Sequence, residues 1–306
     1  MTACGGQRAR TAAVEHASAT QAHMNGVKLV TERRGVSSGN KPIVPNPGVR
    51  PTMHPVLIKG FALVASRKRL FMLGMVVVAA SMGVLTQLGP WGVWTATLAV
   101  TVTLFLLMLR LSQLAAARYH PALLFVRAEP PSFASPVNLA PVFTAAAFVI
   151  LCGGIVAENV GDIVNGDELW LMDAATAGLG MLAVAVHLYV ALGSFGVRLY
   201  PEGIHDRQPF GSLFVPWEAL AVPRAALPRD TQQVILYLAH PELVRKRGLR
   251  GGDPHLLSAA GINAEFLARA IHEYANRADL RPAIGSEAAL AQFQAIPQVA
   301  DLTNGA

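Results

Sequence analysis

Few side chains of this chain are placed to do chemistry, and they form two groups. Asp173 and His187 are ionisable residues inside a long apolar run. A charge in mid-bilayer costs about 2.5–3.5 kcal/mol on insertion scales, so such residues are candidates for an ion or proton path. Asp173 lies four residues into its run, about 6 Å of helical rise, and can reach the interface. His187 lies deeper from that end, and a neutral imidazole hydrogen-bonded to a neighbouring Thr is its expected state. The second group is Arg245, Lys246 and Arg247 with Arg250, beside Gly248 and Gly251-Gly252. Near an anionic leaflet each such charge contributes about 1 kcal/mol. A solvated loop is the competing meaning of the same cluster.

Other combinations lack what their chemistry requires. His272-Glu273 has no second His one turn on, and His205-Asp206 has no nucleophile in a recognisable context. Phosphate-cradling G-x-x-x-x-G-K-[ST] and dinucleotide G-x-G-x-x-G patterns are missing from the sequence. The cysteines, Cys4 and Cys152, form neither a disulfide framework nor a C-x-x-C pair. The expectation is a protein that is not an enzyme and needs neither cofactor nor metal.

The elements around these residues are set by hydrophobicity. Of 306 residues, 53% are apolar and 14% charged, with mean hydropathy +0.41. A soluble domain carries about 25% charged residues, so much of this chain is expected in lipid. Four runs meet the length of roughly 17–25 residues that a membrane helix needs: 70–88, 91–109, 140–157 and 169–193. Gly89-Pro90 makes the first two a tight hairpin. The fold class is therefore a four-helix membrane domain over 59–194, followed by a second domain over 195–285.

Orientation follows from basic residues in short loops. Arg67-Lys68-Arg69, Arg110, Arg118 and Arg127 fall on one side, whereas Glu158, Asp162, Asp167 and Glu168 fall on the other with Trp91, Trp94 and Trp170. Both termini are expected in the cytoplasm of a cell whose plasma membrane the helices cross. Residues 1–58 contain Pro42, Pro45, Pro47, Pro51 and Pro55 without apolar periodicity, and are expected to be a disordered basic arm. Met24 and Met53 are alternative starts. The tail 286–306 is expected to be flexible. Small residues four apart (Ala79 and Gly83, Ala99 and Thr103, Ala174 and Gly178) allow close helix contact, either inside the bundle or in a homo-oligomer.

Net charge is uneven: +9 over 1–69, −3 over 70–195 and zero over 196–306. The high pI thus belongs to the arm, and nucleic acid is not an expected partner of the C-terminal domain. There, Phe195–Tyr200, Ile204–Gln208, Ser212–Trp217, Ala219–Pro223 and Gln232–His240 read as strands. Asn263–Arg277 reads as an amphipathic helix, N-capped by Asn263, with Ile262, Phe266, Ala270, Ile271 and Tyr274 on one face. Trp217 at a strand end is either a core residue or a binding-surface aromatic.

The segments Gly196-Val-Arg-Leu-Tyr-Pro-Glu-Gly203, Phe210-Gly211 and Val215-Pro-Trp-Glu218 resemble the opening of bacterial pleckstrin-homology-like domains. Val234-Ile-Leu-Tyr-Leu238, His240-Pro-Glu-Leu-Val244 and Ala283-Ile-Gly285 are similar to actinobacterial members, which are frequently fused to membrane helices. The resemblance implies a mainly-β barrel with a C-terminal capping helix and a binding role, and supplies no catalytic residues. It departs from the pattern over His240–Gly261, where Gly, Pro and charges stand in place of further strands. The function expected is a scaffolding or regulatory module for a protein partner or for membrane lipids. The alternative is a small-solute permease or channel using Asp173 and His187.

Overall fold

The computed structural model describes residues 54–88, 90–166, 168–250 and 252–295. Most of the expected basic arm, with both alternative starts, and the last part of the tail lie outside these residues.

Four helices are long and apolar enough to cross a bilayer: α2 (Lys68–Leu88), α3 (Trp91–Arg118), α4 (Ala140–Asn165) and α5 (Trp170–Leu192). They are preceded by α1 (Pro55–Ser66), which begins inside the segment expected to be disordered. His54 Nδ1 accepts the Val56 N–H at 3.4 Å, and Pro55 takes the first helical position, where its missing N–H leaves nothing unpaired. α3 and α4 both outrun their apolar stretches. α4 continues through Glu158 and Asp162 to a left-handed cap at Gly166, because a fall in hydropathy does not end a helix and Glu158 is a good helix former.

α4 is the centre of the bundle. Within its most apolar stretch 44% of residues are buried, against 11–17% for the other three spanning helices. It packs on α2, α3 and α5, and its buried face is built largely of small side chains, including Ala145, Ala146 and Ala147. At Gly153 a Cβ would come within 2.8 Å of Ala79 Cβ, and at Gly83 one would collide with Ala157. The Ala79/Gly83 pair thus serves packing inside the bundle, while Ala99, Thr103 and Ala174 are exposed. Ser112 Oγ donates to Ala140 O at 2.9 Å and lies 2.8 Å from Thr144 Oγ1, a polar clasp between α3 and α4.

The second region is an antiparallel sheet structure, and part of it comes from inside the helical half. The loop between α3 and α4 forms a hairpin, β1 (Phe125–Arg127) and β2 (Ser132–Ala134). After α5 come β3 (Gly196–Tyr200), β4 (Gly203–Gln208), β5 (Gly211–Pro216), β6 (Ala226–Pro228), β7 (Gln233–Leu236), β8 (Arg245–Gly248) and β9 (Leu256–Ser258). One sheet runs β1-β2-β3-β4-β5-β8 and the other β6-β7-β9, all antiparallel, and neither closes on itself. Ala219–Pro223, expected as a strand, continues from a short turn of helix, Trp217–Ala219, and makes a single bridge from Leu220 to Leu238. β8 and β9 fall where no strand was expected.

The helix α6 (Ala264–Asn276) covers this region, with Asn263 Oδ1 accepting the Phe266 N–H at 2.9 Å as the expected N-cap. Its buried face meets a core of Phe133, Leu199, Ile204, Leu213, Trp217, Leu236 and Leu257. Trp217 is a core residue, 1% exposed, whose Nε1 donates to Tyr200 O at 3.0 Å. The first part of the tail expected to be flexible is a helix, α7 (Glu287–Ala295), held by buried Phe293 against Phe266 and Tyr274.

One contact joins two helix ends, and two more fix the sheet region to the end of α3 and the loop after it. Lys68 Nζ donates to the carbonyls of Ala191, Leu192 and Gly193 at 3.4, 3.1 and 3.0 Å, a cation at the C-terminus of α5. Gln232 Nε2 donates to Ala116 O at 2.8 Å, and Asn263 N–H to Pro121 O at 3.2 Å. The N-terminus of α2 and the C-terminal ends of α3 and α5 therefore share the sheet's side of the bundle.

Candidate functional site

Strand alternation sorts the charged residues of the six-stranded sheet by face. Val197, Leu199, Ile204, Leu213 and Val215 point into the core and are almost fully buried. The opposite parity carries a cross-strand row of Arg198, His205, Phe214 and Arg245, in register through β3, β4, β5 and β8. The next row holds Arg207, Ser212 and Arg247. Neighbouring strands lie about 4.8 Å apart, so four arginines from three strands share one face.

Two adjoining hollows lie on this face. One, of about 370 Å³, is lined by Tyr200, Glu202, His205, Ser212, Phe214, Arg245 and Arg247. The other, of about 350 Å³, shares His205, Ser212 and Arg247 and adds Arg207, Phe210 and Tyr189 of α5. Arg198 donates to Ser194 O at 3.2 Å, and the Arg207 guanidinium sits 5.8 Å from the Phe195 ring centroid. Burial, and next the neighbouring Arg198, hold His205 below its ordinary pKa. The imidazole is therefore neutral at pH 7, and the arginines carry the positive charge.

Of the cluster expected from sequence, Arg245 and Arg247 lie on this face. Lys246 is exposed on the opposite parity, in register with Leu213. Arg250 is a correction. It is 4% exposed, and its Nη2 donates to Asp206 Oδ2 at 2.7 Å and to Leu256 O at 3.0 Å. Gly248 has φ +72, a conformation that turns the chain at the end of β8. Leu249 is then 88% exposed, and Arg250 passes underneath the sheet. Burial pushes the Asp206 carboxyl up, while Arg250 and then Gln208 pull it partly back. Arg198 and Arg207 were not among the residues picked out from sequence. The signal for them was available in the strand parity of β3 and β4, where Arg198, His205 and Arg207 fall on the polar side.

A third hollow, of about 280 Å³, lies at the seam with the helices, lined in part by Lys68, Arg127, Ser135, Arg198 and Asp206. Its lysine is already bonded to the end of α5.

The intramembrane candidates are not brought together. Asp173 is half-buried in the first turn of α5. His187 stands 14 residues further along the helix, about 21 Å of rise. No Thr meets its ring in a described hydrogen bond: its Nδ1 lies 2.8 Å from Ala183 O, and the ring stacks on Phe148 with centroids 3.9 Å apart. Among the described residues, no group of three or more His, Cys, Asp or Glu side chains could hold a metal ion.

No family model, curated protein or solved structure matches this chain.

Proposed function

We propose that this chain is an integral membrane protein that presents a pleckstrin-homology-like module to the cytoplasmic leaflet. The module binds anionic phospholipid headgroups, in a scaffolding or regulatory role and not a catalytic one. The observation that carries this reading is the convergence of Arg198, Arg207, Arg245 and Arg247 on one sheet face that is tied to the helix ends. Two stacked layers of antiparallel strands with α6 packed against them support the pleckstrin-homology-like assignment. The side of the membrane follows from charge: Arg67, Lys68, Arg69, Arg118 and Arg127 lie at the sheet's end of the bundle, and Glu158, Asp162 and Glu168 at the other. A bacterial plasma membrane is the proposed location.

The test is titration of the full-length protein in neutral detergent with short-chain phosphatidylglycerol or phosphatidylcholine, following its melting temperature. Phosphatidylglycerol alone should raise it, less so at higher salt. Replacing the four arginines by Gln should abolish the shift. Equal response to both lipids, or none to either, overturns the headgroup reading and leaves a protein partner as the ligand to seek by cross-linking.

A further inference from the structure

We propose that Phe210 and Leu249 form an apolar wedge that dips into the leaflet beside the last turn of α5, while Arg207 and Arg247 hold lipid phosphates. This rests on the reading that the helices span a bilayer, and it assigns the module one particular edge for membrane contact.

The strand directions place that edge. β3 leaves the end of α5 and runs outward to the turn at Pro201-Glu202. β4 returns, so Pro209-Phe210 is again at the helix end. β5 runs outward once more, and its antiparallel partner β8 brings Leu249 back to the same level. There the Leu249 N–H donates to Phe210 O at 2.7 Å, so the two side chains project from one tip.

The tip is pinned to α5. Tyr189 Oη donates to Pro209 O at 3.0 Å, and its ring lies 6.4 Å from that of Phe210. Tyr189 precedes the end of α5 by three residues, about 4.5 Å of rise. With 23 residues α5 is about 35 Å long, against a hydrocarbon core of about 30 Å. Tyr189 therefore sits at the interface, the level tyrosines prefer. Phe210 is 59% exposed and Leu249 88% exposed at that level. Two large apolar side chains on a loop tip gain by entering the acyl boundary, and the adjacent exposed Arg207 and Arg247 match an anionic surface in charge.

The experiment uses the full chain with Cys4 and Cys152 replaced by Ser and a single spin label introduced by Phe210→Cys, Leu249→Cys or Glu202→Cys. Each is reconstituted into vesicles of phosphatidylcholine with or without phosphatidylglycerol. Collision rates are measured with oxygen, which concentrates in lipid, and with a water-soluble nickel chelate. The expected result is oxygen-dominated collision at 210 and 249 and chelate-dominated collision at 202. Chelate-dominated collision at all three positions in both lipids overturns the wedge. So does a label at 210 or 249 shielded from both reagents, which would show protein covering the tip. If the wedge inserts equally in both lipids and phosphatidylglycerol gives no melting shift, the wedge stands and the headgroup reading falls. An aqueous tip with the melting shift retained gives the reverse. As a check independent of labelling, Phe210→Ser with Leu249→Ser should reduce the phosphatidylglycerol-dependent melting shift at least twofold, measured from the variant's own melting temperature without lipid.

Discussion

The helical bundle and the sheet region differ in how many of their large apolar side chains they bury. In the bundle many large residues face outward, with Leu70 62% and Leu179 69% exposed, and alanines and glycines line the contacts of α4 beside a smaller set of buried large residues such as Phe143 and Ile150. In the sheet region the large core residues are inside, with Trp217, Leu199 and Leu213 almost fully buried, while Arg207, Arg245 and Arg247 are outside. The difference fits the proposed placement of the four long apolar helices in a bilayer. Lipid rewards an apolar exterior and leaves helix association to close approach. Water drives large apolar groups into a core. Stability should accordingly depend on backbone proximity in one region and on side-chain burial and polar pairing in the other.

The largest expected break in this contrast is at the buried ion pair. Arg250→Ala leaves Asp206, 1% exposed, without its cation, and removing one partner of a buried pair costs about 3–5 kcal/mol. Limited proteolysis during a thermal ramp should show the sheet region cleaved at lower temperature, with the bundle's helical signal kept. The double variant Asp206→Leu with Arg250→Met should recover most of the loss, since apolar replacement of a buried pair is close to neutral. Failure of the double variant to recover would mean that the pair does more than satisfy itself.

On the bundle side the matched test is Gly153→Ala against Gly154→Ala. A Cβ at Gly153 meets Ala79 at 2.8 Å, whereas one at Gly154 has nothing within 4 Å. The first should cost about 1–3 kcal/mol as α2 and α4 are forced apart. The second should be neutral or gain up to about 1 kcal/mol of helix propensity. Melting in detergent separates them, and equal effects would remove close approach as the explanation.

How much of this was legible in the sequence also differs between the regions. The four spanning helices are plain from their apolar runs, because length and hydropathy alone decide them. Their ends are not, since Glu158 and Asp162 stop the hydropathy without stopping the helix. In the sheet region the strands with alternating apolar residues, β3 to β5 and β7, were readable. β8 was hidden because it is an edge strand, Arg245–Gly248, exposed at every position and so without an apolar stripe. β1 and β2 were hidden by being three residues each and lying between two long apolar helices. Arg250 looked like a member of the basic cluster because proximity in sequence says nothing about the turn at Gly248. The reverse error left out Arg198 and Arg207, which are distant in sequence from Arg245 but adjacent across the sheet.

A smaller effect is expected at the cap of α6. Asn263→Ala removes the acceptor of the Phe266 N–H and should cost about 1 kcal/mol, whereas Asn263→Gly should cost only a few tenths. Amide hydrogen exchange confined to the first turn of α6 is the measurement. Exchange spreading through both sheets would instead make this helix the keystone of the whole region.

The smallest effect sets stability against binding on the basic face. Because His205 titrates below its ordinary 6.5 in the folded protein, the unfolded chain holds a proton that the folded one lacks just below that pH. Stability therefore falls as pH drops from 6.5 through the folded-state value. Asp206 works with the opposite sign: its raised pKa makes the folded protein the better proton acceptor above 3.8, so it gains stability as pH falls toward that value. Comparing the full-length protein with His205→Gln isolates the imidazole, and the variant should lose the downward slope below pH 6.5. Protonated His205 also adds a charge between Arg198 and Arg245. The phosphatidylglycerol shift should then grow over the same window in which stability without lipid declines, because anion binding repays the cost of protonating the folded form. Two curves moving together would place the lipid elsewhere than on this face.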